Sequence, residues 1–150
     1  MVTYKPWIDT GLEREGKNSS SLECQEMSNV IITDDVKAGL EKIKPGIAHY
    51  VGRMGHKSKN FHKEMMVRRG FGDAAERIQE LYLAKRKDEA TAAVPDEFVD
   101  QGALVGNKAR IQKRFRDWED SGITGLTISG DEQALRLMAE VARLNVEPGV

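Results

Sequence analysis

The chain has 150 residues and a mass of 16.8 kDa, one ordinary domain's worth and short of the roughly 200 residues that a complete (β/α)8 barrel needs. Apolar residues make up 39% and charged residues 31%, a globular balance unlike that of a disordered chain. The 23 Lys and Arg against 24 Asp and Glu leave a net charge of −1, so no global field recruits nucleic acid or an anionic membrane, and any partner has to be recognised locally.

In chain order, Trp7, Ile8 and Leu12 belong to the end of a first element, followed by a polar loop from Gly16 to Ser21. Met27 to Thr33, with its β-branched centre, predicts a strand buried on both faces. Asp34 is the expected N-cap of a following helix in which Val36, Leu40, Ile43, Ile47 and Val51 form one apolar stripe, with a bend or restart at Pro45. A short helix from Asn60 to Arg69 carries Phe61 and Met65 inward and closes at Gly70. The next, opened by Asp73 and Glu76, is expected to run to about Ala93 with Ile78, Leu81, Tyr82 and Leu83 on its core face. Pro95, Asp96 and Glu97 open a further helix with Phe98 and Val99 inward, ended by a loop at Leu104 to Gly106. Asn107 caps a helix with the stripe Ile111, Phe115 and Trp118, and Gly122 supplies its left-handed close. Thr124 to Ser129 then reads as a second strand, and Asp131 caps a last helix with Leu135, Met138 and Val141 inward. Two strands linked by a long helical crossover predict parallel α/β architecture, and two such strands need neighbours.

The single cysteine, Cys24, excludes an internal disulfide framework and suits a reducing compartment. The absence of an apolar run of about 18 residues and of a leader-like opening makes the expectation cytoplasmic, with no membrane partner. Three histidines, His49, His56 and His62, lack the spacing of a metal site, so no metal is expected. Lys108 to Arg116 is basic, but its apolar stripe and the acids Asp117, Glu119 and Asp120 make it a solvated helix face, and no nucleic-acid partner is expected. Gly52 and Gly55 around Arg53 offer an anion cradle, against the plainer reading of a helix end. Gly106, Asn107 and Lys108 make the better phosphate candidate, because a glycine turn feeding a helix start presents free amides; an ordinary N-cap is the competing reading.

The runs Ile32-Thr33-Asp34-Asp35, Tyr50-Val51-Gly52-Arg53-Met54-Gly55, Lys59-Asn60-Phe61, Arg77 to Leu83, Val94 to Asp100 and Ala103 to Gly106, with the strand entry Gly122 to Ser129, together resemble the C-terminal part of luciferase-like monooxygenases, specifically the deazaflavin (coenzyme F-420) dependent oxidoreductases. The resemblance covers nearly the whole chain from about Trp7. It implies one domain over residues 1–150, an incomplete, helix-rich C-terminal part of a (β/α)8 barrel with the two strands as its seventh and eighth and the extra helices as an insertion. It implies F-420 as cofactor, with FMN as the alternative, and a small organic substrate. The partner it implies is the missing N-terminal barrel half or a full-length homologue. No catalytic residue carries over, because the ring-seating and substrate-acting residues belong mostly to earlier strands. Because barrel chemistry sits at the C-terminal ends of strands, Gly106, Asn107 and Ser129 are the expected cofactor contacts, and Thr33, Asp34, Arg53 and Asp131 the expected rim positions. The chain alone is expected to be inactive and poorly soluble, through exposed strand edges.

Overall fold

In the computed structural model, which describes residues 4–56 and 58–144, the chain is α/β and rich in helix. The strands are β1 (Gln25–Ile32), β2 (Ala103–Gly106) and β3 (Gly125–Ser129). β1 and β3 pair directly and in parallel, with Glu26 opposite Leu126, Ser28 opposite Ile128 and Asn29 opposite Ser129. The direct parallel pairing of the two expected strands is as the sequence predicts. The third strand is a correction: Ala103 to Gly106 is a fully buried strand rather than a loop, and four residues are too short to show a period.

The described residues divide into two units, one running to Ile32 and resuming at Gly106, the other spanning Thr33–Val105. The first contains α1 (Lys5–Arg14), β1, α8 (Lys108–Glu119), β3 and α9 (Glu132–Val141). Its core draws on Val30, Ile111, Ala134, Leu137 and Met138. Leu135, expected inward, is 47% exposed, because Ala134, Leu137 and Met138 fill α9's inner face instead. Trp7 is likewise exposed on α1. Gly130 turns the chain from β3 into α9 where a Cβ would stand 2.9 Å from the carbonyl oxygen of Val30 and 2.7 Å from the Ala134 Cβ, so the close approach requires glycine.

The second unit is a helical cluster: α2 (Val36–Glu41), α3 (Lys44–Arg53), α4 (Phe61–Arg68), α5 (Gly72–Leu83), α6 (Lys87–Ala92) and α7 (Asp96–Gln101). Pro45 restarts the helix in the first turn of α3, where a missing N–H costs nothing. The cap of α2 is Asp35, not Asp34: its Oδ1 accepts from the Ala38 amide at 3.0 Å. The long helix expected to reach Ala93 breaks after Leu83, where Lys85 takes a left-handed φ of 65° and the Arg86 amide donates back to the Leu81 carbonyl. No glycine announces that break, and Leu83 is left exposed beyond it. On α4 the buried residue is Met66, while Phe61 is exposed.

Three contacts fix this cluster. Gly52 lies inside α3, where a Cβ would meet the Tyr82 Cβ of α5 at 2.4 Å, so the two helices cross at glycine distance. The side chain of Asn60, 3% exposed, donates to the Val51 and Tyr50 carbonyls at 2.8 and 3.2 Å and accepts from the Lys63 amide at 3.0 Å, closing α3 and opening α4 with one amide. Lys44, 5% exposed, pairs with Glu41 at 2.7 Å and Asp96 at 2.5 Å, tying α2, α3 and α7. Burial pushes its ammonium pKa down, but the Asp96 and Glu41 carboxylates outweigh this and hold it above the ordinary lysine value.

Candidate functional site: strand ends and the open sheet face

In the first unit, β1 and β3 present two unlike faces. Ser28 and Val30 of β1 are buried on one. On the other, Met27 and Asn29 stand beside Thr127 and Ser129 in register, all four exposed. This corrects the expectation of a strand buried on both faces: Met27 is 69% exposed, because the described residues place no layer over that side.

All of the expected site residues except Arg53, which ends α3, lie just at or after the end of a strand. Ser129 is the last residue of β3, and two residues on Asp131 caps α9, accepting from the Ala134 amide at 2.8 Å. Gly106 closes β2 with φ +139°, and a Cβ there would strike the Arg110 side chain, so the glycine serves packing as well as the turn. Asn107 caps α8, accepting from the Arg110 amide at 3.0 Å. The two helix starts differ electrostatically. Asp131 and Glu132 load the opening of α9 with negative charge, whereas α8 has no acid in its first turn and carries Lys108 there. An added anion is therefore favoured at α8 and disfavoured at α9. Lys108 Nζ meets Glu140 at 2.6 Å, which brings the first turn of α8 to the last turn of α9, the end opposite Asp131.

In the second unit, Thr33 holds the turn before α2, its Oγ1 accepting from the Asp35 amide at 3.1 Å, and Asp34 is exposed beside it. Arg53 ends α3 as an exposed residue. The glycine cradle considered around it is not one: Gly52 is consumed by the α3–α5 crossing, and Gly55, at φ +107°, makes the turn that bridges His56 to Lys59. The histidines lie on separate partners, His49 on the Tyr82 hydroxyl at 2.8 Å, His56 on Ser58, and His62 against the Tyr50 ring. Among the described residues no group of three or more His, Cys, Asp and Glu side chains could hold a metal ion. None of the described helices is long and apolar enough to cross a membrane.

Sequence reading missed an apolar cleft of about 440 Å³ over the buried face of β3, lined by Phe115 and Trp118 of α8, Leu126 and Ile128 of β3, and Leu135 and Met138 of α9. The stripe Ile111, Phe115, Trp118 was its only signal. Ile111 is buried, but the other two reach only half-burial at this cleft.

Parallel strands β1 and β3, with capped helices α8 and α9 in the same unit, define an α/β protein. The family model for luciferase-like monooxygenases matches residues 6–125, and the chain belongs to that family. A Mycobacterium tuberculosis protein provisionally named a coenzyme F420-dependent oxidoreductase is 34% identical over 139 residues, which are 91% of this chain and 40% of the relative. The chain thus spans 40% of the length of the curated relative it matches.

Proposed function

We propose that this chain supplies the C-terminal strands and helices of a barrel-type oxidoreductase that transfers a hydride between a reduced deazaflavin and a small organic substrate. The observation that carries the reading is the 34% identity, over nearly all of the chain, to a relative whose name assigns it coenzyme F420. Support for the barrel is the direct parallel pairing of β1 with β3. When bound, the cofactor supplies the hydride chemistry, and the protein supplies orientation and electrostatics. Here the opening of α8 at Gly106 and Asn107, whose own first turn holds no acid and whose Lys108 pairs with Glu140, suits the cofactor's phosphate, and Ser129 suits a polar contact at the end of β3. Thr33, Asp34, Arg53 and Asp131 are the rim candidates. The partner is the remainder of the barrel. The free edge of β3 and the adjoining apolar cleft are where an additional β/α unit would seat. Alone, the chain is inactive.

A second reading, an FMN-dependent monooxygenase, is favoured by the description of the family itself. A third, a non-catalytic helical module, is favoured by the separate core of Thr33–Val105. Titration with each cofactor tests all three, with and without the segment of the mycobacterial relative that this chain does not match. Tight deazaflavin binding that appears only on mixing supports the main reading, and preference for FMN the second. No binding in either arm leaves the helical module.

A further inference from the structure

The two units of the chain differ in how their parts lie along the sequence. The helical unit is one unbroken segment, Thr33–Val105, whereas the strand unit is assembled from two stretches on either side of it. Helices of the helical unit pack mainly on near neighbours in sequence, α3 and α4 against each other and against α5, and α5 against α6. Met66, Ala75, Ile78, Ala90 and Val94 are buried among its elements. The strand pair, by contrast, is joined over a long separation: the Cys24 amide, at the foot of β1, donates to the Thr124 hydroxyl a hundred positions on. Local contacts form ahead of distant ones, because a long loop must give up its freedom before the distant contact repays it. The fold of the helical unit shortens that loop. α2, which opens the unit, touches α7 near its close, and Lys44 ties the end of α2 to the start of α7 through Glu41 and Asp96. Pairing β1 with β3 closes about 90 residues of free chain when the helical unit is unfolded and about 40 once α2 and α7 are joined, which favours the pairing about threefold.

We infer that the helical unit is a conformational clasp: it folds first and by itself, and the pairing of β1 with β3 follows as a second, separable step. The order is set by chain connectivity and holds whatever cofactor or substrate the strand ends take. In the reverse direction, the strand unit opens while α2 to α7 stay packed, so the chain passes through a state with its helical unit intact and its strands apart.

The chain carries its own reporters for the test. Both tryptophans, Trp7 and Trp118, belong to the strand unit, and the helical unit has none, so tryptophan fluorescence follows the strand unit alone. In the full chain carrying Trp7→Phe, urea unfolding is followed at the half-buried Trp118 and, in parallel, by far-ultraviolet circular dichroism. The expected result is a Trp118 transition that is complete at lower urea than a second transition removing the greater part of the helical signal. Ile111→Val, at a buried position of the strand unit, should shift the first transition alone, by about fivefold in its equilibrium constant. Ile78→Val, buried in the helical unit, should shift the second alone by about the same factor. Coincident transitions, helix loss ahead of the Trp118 change, no transition at Trp118, or either valine variant moving both transitions overturns the clasp.

Discussion

Lys44 shows how a single charged side chain is kept inside the helical unit. Two half-exposed carboxylates hold its ammonium above the ordinary lysine pKa. A raised pKa in the folded state means stability that is complete below the unfolded value, near about 10.4, and is lost as pH rises through the folded value. Wild-type protein is therefore expected to lose melting temperature in the alkaline range in a way that Lys44→Met does not. At neutral pH, Lys44→Met should be close to neutral, because a hydrophobic chain of similar length replaces a costly buried ion. Lys44→Ala, which adds a void, should cost about 2 kcal/mol in chemical denaturation. Gly52 is constrained by contact alone. Gly52→Ala pushes a methyl to 2.4 Å from the Tyr82 Cβ, and we expect a loss of about 2–3 kcal/mol, although alanine is otherwise the better helix former.

At the level of elements, the helix starts are the most readable features and also the easiest to misplace by one residue. Asn60, Asn107 and Asp131 cap the helices that the sequence predicts for them. Asp34 and Asp35 are equivalent as letters, and only the backbone turn at Thr33 selects the second. Asp35→Ala should accordingly cost about 1 kcal/mol by denaturant titration, and Asp34→Ala should stay within about 0.5 kcal/mol of wild type. Periodicity revealed the stripe on α2 and α3 because several turns repeat it. It failed at β2, four residues long, and at Lys85, where a non-glycine residue takes the left-handed turn. The candidate site was partly legible: strand ends and caps follow from sequence, and Ser129 falls at the end of β3 as read. The open face shared by β1 and β3 was not, because it depends on which residue lies opposite which, and register is invisible until the strands are paired.

For the whole molecule the decisive facts are that β3 ends the sheet and that an apolar cleft adjoins it. An unpaired edge beside exposed apolar side chains favours association. The chain is expected to self-associate as its concentration rises in light scattering coupled to size-exclusion chromatography. Leu135→Lys, on the exposed wall of the cleft, should lessen this without lowering the melting temperature by more than about 0.5 kcal/mol worth of stability. Unchanged association in that variant would point away from the cleft as the sticky surface.

The carboxamide of Asn60 has a kinetic corollary. Because it holds the last turn of one helix and the first of the next, neither end can fray without releasing the other. Amide protons at the two ends, Met54 on one side and Lys63 on the other, should share one opening free energy in native-state deuterium exchange and behave as a single foldon. Removing that carboxamide should split their protection factors into two independent sets.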